Sequence, residues 1–328
     1  MFVGCVAALL AAAAPFALTR LITSPRRPWD CVSTNSVTIL ASWSQLFGRR
    51  VNCSVSFIDA APTWQTWDDP WIIGYRQNMP QFDWVDWYDK GRHGRHLILT
   101  QTLIPSDLEG TDWLPSGAAG AFEPYARVLA RNLISAGMGN VVIRLGHEAN
   151  GTWYGDSVPD TPQGDAQWVH FWDNTVRAMR SVPGAHFLFD WTVNAGVRPI
   201  SLQSFYPGNK FVDVIGVDAY DSLPSPTKAN RVTTLLHEPD GLLAIQAFGR
   251  QHHKPLSIPE WGIGPSGQGG AAGDDPAYVN AIARIAGGGN VLYQAYFVGG
   301  AEGPALRASP RSLNAYKRAF GGGGTDAP

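Results

Sequence analysis

Charge is what this sequence has least of. Only 16% of its 328 residues are Asp, Glu, Lys or Arg, and the formal net charge is −2. That balance leaves no electrostatic reason to expect nucleic acid or an anionic membrane surface as the main partner, since both call for clustered positive charge. Neutral substrates fit better. Cysteine is also scarce, at three residues. Cys5 sits early in an apolar run, which leaves Cys31 and Cys53 as the pair open to an exported domain. They fall on the first two predicted strands, where a disulfide in an oxidising compartment and two buried free thiols are both compatible with the pattern. The helical zinc spacing His-Glu-x-x-His is absent because Gly151 stands at its last position, and His252 and His253 lie at a predicted helix end. No metal is expected. The sole Gly-x-Gly-x-x-Gly match, Gly262, Gly264 and Gly267, comes late and runs into Gly- and Ala-rich sequence with no apolar helix start, so it reads as loop and no cofactor is expected. Ser266 fails the nucleophile-elbow pattern at Gln268, which argues against a serine hydrolase.

Aromatic residues are abundant, with 13 Trp, 10 Tyr and 14 Phe. Packing under loops accounts for about half of the Trp on ordinary burial trends; the others suggest stacking on flat apolar faces such as sugar rings. The stretch Trp64, Trp67, Trp71, Tyr75, Phe82, Trp84, Trp87 and Tyr88 reads equally as a sugar-stacking wall and as a loop packed on itself. Met1 to Leu18 is a continuous Ala-rich apolar run ended by Thr19 and Arg20. Residues 1–27 are therefore predicted to be a signal peptide or a membrane anchor, with the protein secreted or tethered on the extracytoplasmic side. Residues 28–320 are predicted as one domain, expected to be a monomer, and 321–328 as a flexible Gly-rich tail.

Short apolar runs recur at Pro28–Ser33, Val51–Asp59, His96–Ile104, Asn140–His147, Ala185–Thr192, Phe211–Tyr220, Lys254–Trp261 and Asn290–Val298. Helical spacing marks Val37–Phe47, Ala121–Ala136, Gln167–Arg180, Leu242–His252 and Ala277–Ile285, while the second and sixth connections are less clear. Eight strands alternating with helices predict an α/β fold, a (β/α)8 TIM barrel. In such a barrel the reactive residues stand where strands end. Those ends read Arg144 to Glu148 and on to Tyr154, Asp190-Trp191 to Asn194, Asp218 to Asp221, and Glu260-Trp261.

Glycosidic cleavage needs a proton on the leaving oxygen and negative charge at the developing oxocarbenium ion, supplied by two flanking carboxyls. Glu148 and Glu260, on the fourth and seventh units, are the predicted pair: Glu148 as acid/base and Glu260 as nucleophile of a retaining reaction. Strand parity puts Arg144, Gly146 and Glu148 on one side, so Arg144 is expected inside the barrel with Asp190 and Asp218 as candidate anionic partners. Tyr220 is expected to donate to Glu260, and Glu148 to be kept protonated by the charge of Glu260 and by desolvation against Trp153. Trp191, Trp261, Tyr293 and Tyr296 are predicted to face the cleft.

The run His147-Glu148-x-Asn150-Gly151-x-Trp153, the segment from Tyr206 through Asp218-Ala-Tyr220, and Lys254-Pro255 through Glu260-x-Gly262 together resemble glycoside hydrolase family 26. The resemblance implies a barrel with its glutamates after strands four and seven and an endo-acting hydrolase of β-linked polysaccharide, mannan above all. It also implies subsite roles for His147 and Trp153. This chain has Ala149 and Gly155-Asp156 where the family's mannanases usually carry Met and a second Trp cluster, a difference that leaves room for an exported cell-envelope or exopolysaccharide glycan as substrate. A barrel that only binds carbohydrate is the third reading.

Overall fold

The computed structural model describes residues 25–74, 79–196, 200–221, 230–264 and 273–321. The apolar run with Cys5, Tyr75, the loop holding Ser266, Gly267 and Gln268, and the tail beyond Gly321 lie outside the described residues. Eight strands form: β1 Trp29–Ser33, β2 Cys53–Phe57, β3 His96–Gln101, β4 Val142–Leu145, β5 Leu188–Asn194, β6 Val214–Tyr220, β7 Leu256–Gly262 and β8 Val291–Phe297. They close in sequence order into one barrel, parallel throughout, with β8 returning to β1. The predicted fold is therefore the observed one.

The first helix, Val37–Phe47, shows how local sequence sets an element's limits. The Ser36 hydroxyl accepts from the Ile39 N–H at 3.3 Å to start it, and Gly48, at φ +69°, ends it in the left-handed conformation that glycine takes without steric cost. Among the described residues the sixth connection holds the predicted helix, at Leu242–Gln251, and a second at Arg231–His237 that the sequence left unclear. The fifth is the connection without a full helix: its one regular element among the described residues is a single turn at Leu202–Ser204. Aromatic packing closes the wall there instead, with Trp191 against Phe205 and Tyr206, and Tyr206 against Phe248.

Alternation along the strands builds two apolar layers. Cys31, Cys53, Val55, Ile98, Val142, Val214, Tyr293 and Ala295 form a cluster inside the barrel, and a larger cluster lies between the barrel and its helices. Cys31 and Cys53 are joined as a disulfide on the neighbouring strands β1 and β2, which decides the alternative the sequence left open. The predicted cleft positions of Trp191, Trp261 and Tyr296 are corrected here. All three are fully buried and face outward under the helices: Trp261 stacks on Tyr316, and Tyr296 donates its hydroxyl to the Glu302 carbonyl at 3.0 Å. On a strand only one of two successive residues can face inward, so Asp190 and Trp191 cannot both do so. Tyr293 faces inward but is buried in the interior, with its hydroxyl donating to Asp190 at 2.7 Å.

The aromatic stretch after β2 mostly packs on itself and on the rim. Trp67 donates to the Thr102 carbonyl at 2.9 Å, Trp71 to Phe57 at 3.0 Å and Trp84 to Asn35 at 3.1 Å, while Trp64 stacks on Tyr125 at 4.5 Å. Phe82 is the member of the run that faces an open recess.

Above the apolar interior lies a polar level. Register places Thr100 beside Arg144, Arg144 beside Asp190, Thr192 beside Gly216, and Gly216 beside Ser257. Gly216 leaves room for this network, since a Cβ there would collide with Thr192, Asp190 and Ser257 side chains. Gly216→Ala is accordingly expected to cost about 1–3 kcal/mol through overpacking, measured as a lower urea midpoint at unchanged slope.

Candidate active site

The site begins with Arg144, the last inward residue of β4, which is fully buried. Its guanidinium forms ion pairs with both Asp218 of β6 and Glu260 of β7, and it also donates to Thr192 Oγ1 at 3.2 Å and Thr100 Oγ1 at 3.3 Å. Asp190, predicted as a partner of this arginine, is held otherwise. It accepts from Ser257 at 2.6 Å, Tyr293 at 2.7 Å and Thr192 at 2.8 Å, so it orients the polar level rather than pairing with the cation. Burial pushes its carboxyl up, and those three donors oppose the shift.

Glu260 receives a hydrogen bond on each oxygen, from Arg144 on Oε1 and from the Tyr220 hydroxyl on Oε2 at 2.6 Å. Donors on both sides fix an acceptor carboxylate at the mouth. Simple alternation does not bring it there, because Ser257 faces the interior and Glu260 lies three residues further on. The pairing register of β7 shifts against both neighbours, between Gly216 and Ala219 on β6 and between Ile258 and Trp261 toward β8. Such an irregularity re-aims side chains, turning Glu260 in and Trp261 out.

Glu148 is placed by a different device. β4 ends at Leu145, and Gly146 and Glu148 both take positive φ, +57° and +52°, so the expected parity of residues 144, 146 and 148 does not carry through the turn. A non-glycine residue in this conformation costs on the order of 1–2 kcal/mol. The Glu148 N–H donates to the Thr192 carbonyl of β5 at 2.9 Å and holds the turn. The motif residues around it have separate tasks. The Asn150 side chain brackets the backbone of Asn194, donating to its carbonyl and accepting from its N–H, both at 2.8 Å. Asn194 in turn donates to Glu148 Oε1. Gly151 leaves space for the indole of Trp153, 2.6 Å from where a Cβ would stand, and that indole donates to Glu148 Oε2 at 2.8 Å. Trp153 is 48% exposed, so it offers a ring face to the cleft. Ala149, by contrast, is buried in the core and does not face the cleft.

Burial first, and the charge of Glu260 second, push the Glu148 carboxyl above the ordinary range; Arg144, Asn194 and Trp153 oppose the shift. Trp153 therefore works against the protonated form, where the sequence suggested that it would favour it. The physical reason is its N–H, which stabilises the anion. Asp218 is likewise raised, by burial first and then by the charges of Glu260 and Glu148, with Arg144 opposing the shift.

His147 is buried, its ring packed 4.4 Å from Tyr154 and edge-on to Phe57 at 6.1 Å, with neither ring nitrogen hydrogen-bonded among the described residues. Burial, then Arg144, hold it well below the usual histidine range, so it is a neutral group. Beside Glu260 a recess of about 420 Å³ opens toward β1 and β8. The sequence reading missed Asn194 as a site residue although it stands at a strand end, and missed the recess residues Ser33, Phe57 and Phe297, which have no motif to mark them; Phe82 stood in the aromatic stretch that it named.

The family model described as Glycosyl hydrolase family 26 matches residues 126–248, which hold β4, β5, β6 and Glu148. Over these residues, less than half of the chain, the protein resembles a glycoside hydrolase of that family. No curated protein matches this chain in sequence. Among solved structures it is similar to an endo-beta-1,4-mannanase double mutant of Cellulomonas fimi, at 16% identity and TM-score 0.60 over 89% of this chain and 70% of that one. The GH26C protein of Muricauda sp. is similar at 14% identity and TM-score 0.62, covering 90% and 85% of the two chains. A GH26 beta-mannanase of Bacteroides ovatus follows the same path at 13% identity and TM-score 0.57, covering 90% and 87%. At such identities these likenesses speak for the barrel itself.

Two outcomes test the geometry. Tyr220→Phe removes one charge-assisted hydrogen bond and is expected to lower kcat about 10- to 100-fold with little change in thermal midpoint. A group that acts as an acid is active below its pKa and lost as pH rises through it. Removing a donor to the Glu148 anion raises that pKa further, so Trp153→Phe should move the alkaline limb of kcat/KM to higher pH.

Proposed function

We propose that this hydrolase cleaves a β-linked, mannan-like polysaccharide within the chain and with retention of configuration, Glu260 acting as nucleophile and Glu148 as acid/base. The observation that carries the reading is the unequal treatment of the two carboxyls. Glu260 is clamped by Arg144 and Tyr220 as an acceptor, while burial and the charge of Glu260 push the Glu148 carboxyl above the ordinary range. One group is prepared to attack and the other to donate.

In the first step a Glu260 oxygen bonds to the anomeric carbon as the glycosidic C–O bond breaks, and the leaving oxygen takes the Glu148 proton. Esterification removes the charge of Glu260, one of the causes that raise Glu148, so Glu148 becomes a better base. It then takes a proton from water, whose oxygen displaces Glu260 and restores the original configuration. Trp153 beside Glu148, and His147 with its unpartnered nitrogens, supply a stacking face and hydrogen-bonding capacity for the sugars flanking the bond.

We further place the enzyme outside the cytoplasm, secreted or tethered by its N-terminal segment. The Cys31–Cys53 disulfide supports this, since such bonds persist in oxidising compartments. No helix among the described residues is long and apolar enough to cross a membrane.

Manno-, gluco- and xylo-polysaccharides incubated with wild type and with Glu260→Ala test the activity. Reducing sugar is expected from the wild type on mannan, and at least about 10³-fold less from the variant. Glu148→Ala is expected to spare dinitrophenyl glycosides, whose leaving group needs no proton, while losing the polysaccharide. Proton NMR of the first-formed product should show the anomer of the substrate; an inverted anomer rejects the nucleophile assigned here.

A further inference from the structure

Tyr220 reaches Glu260 from the end of β6, and the chain on either side of it is tied from outside the barrel. One residue earlier, the Ala219 carbonyl accepts the Tyr278 hydroxyl at 2.6 Å. One residue later, the Asp221 N–H donates to the Gly262 carbonyl of β7 at 3.0 Å. The Asp221 carboxylate pairs at 3.2 Å with Arg231, the first residue of the helix Arg231–His237. Both side chains are withdrawn from water, with exposures of 0% for Asp221 and 6% for Arg231. Burying an ion pair is at best weakly stabilising, so two charges taken out of solvent call for a reason. The chemical step uses neither of them.

The sheet register supplies that reason. Pairing between β6 and β7 slips between Gly216 and Ala219, then resumes with Ala219 beside Trp261 and Tyr220 beside Gly262. A strand that resumes one residue out of step turns its later side chains to the opposite face. The resumed register therefore aims the Tyr220 hydroxyl at Glu260 Oε2, 2.6 Å away, and it is held on residues 219 and 221. Alternation points Tyr220 into the mouth and Asp221 outward, so an anchor on Asp221 fixes the rotation of the strand end without entering the cleft. An ion pair suits the task, because parting it leaves each charge buried and unpaired, a larger penalty than stretching a neutral hydrogen bond. Tyr278 responds to the same carboxylate. Burial first, and the Asp221 charge second, push its phenol up, which keeps it a neutral donor to Ala219.

We propose that Asp221 and Arg231 are positioning residues for catalysis: their buried ion pair locks the end of β6 in the register that keeps the Tyr220 hydroxyl on Glu260. The pair sets the rate without touching substrate. The assignment rests on the reading of Glu260 as nucleophile.

Steady-state kinetics on the polysaccharide that the wild type cleaves test the proposal, with Asp221→Asn, Arg231→Lys, Tyr220→Phe and the double variant Asp221→Asn/Tyr220→Phe. Asp221→Asn is expected to lower kcat about tenfold while KM stays within about twofold. Its kcat/KM should lose the acidic limb at higher pH than the wild type, as in Tyr220→Phe, because a carboxylate that loses a donor is protonated more readily. Removal of a nearby negative charge acting through its field alone moves that limb to lower pH, so the sign separates positioning from electrostatics. In the Tyr220→Phe background, Asp221→Asn should cost less than about twofold, since the hydrogen bond that it disturbs is already gone. Arg231→Lys keeps the charge and is expected to retain most of the rate. Should Asp221→Asn fail to fold around an unpaired Arg231, Asp221→Asn/Arg231→Met removes both charges and is expected to show the same kcat loss and limb shift. Losses that multiply in the double variant, an acidic limb that moves down, or full kcat in a folded variant lacking the pair overturn the positioning role while the hydrolase reading stands. A wild type silent on the whole polysaccharide panel overturns the proposal together with the reading beneath it.

Discussion

A single buried cation organises the mouth of this barrel. Arg144 has no solvent to stabilise its charge, so the fold must bring carboxylates to it, and it draws Asp218 and Glu260 from two different strands. Taking these groups out of water costs several kcal/mol per ion, an amount that only close pairing and filled hydrogen-bond capacity offset. Thr100 and Thr192 take two further donors of the guanidinium, and the Asp190 network holds Thr192 in turn. Carboxyls outnumber the cation here, and burial pushes both Glu148 and Asp218 above the ordinary carboxyl range.

Around that centre the strained and irregular backbone is concentrated where side chains must be re-aimed. Glu148 accepts a positive φ where Asn194 and Trp153 hold it, and β7 gives up its regular register, so that Glu260 meets Arg144. Elsewhere the barrel is regular, with an apolar interior, a disulfide between β1 and β2, and aromatic packing under the helices. The rigidity of these layers is what makes a local irregularity reproducible instead of soft. The fifth connection follows the same logic, since Phe205 and Tyr206 cover the wall that a helix covers elsewhere.

Much of this was legible in the chain because short-range patterns report on short-range physics. Short apolar runs gave the eight strands, helical spacing gave Val37–Phe47, and the spacing of His147, Glu148, Asn150, Gly151 and Trp153 singled out the turn after β4. The placement of Arg144 inside the barrel and of Tyr220 against Glu260 also followed from strand ends and parity. Parity misled where it met an irregularity or was not applied: Trp191 and Trp261 face the helices because their neighbours Asp190 and Glu260 face in.

By itself, then, the sequence determined the barrel and the strand ends and pointed to Glu148 and Glu260, because hydrophobic periodicity and motif spacing are properties of neighbouring residues. Only the tertiary structure decided which acid pairs with Arg144, that Trp153 opposes protonation of Glu148, that Cys31 and Cys53 are bonded, and that Ser33 faces a recess with Phe82 and Phe297. These depend on distances between strands far apart in the chain and on the register slip in β7. Contacts of that kind are fixed by barrel closure, and no local pattern encodes them.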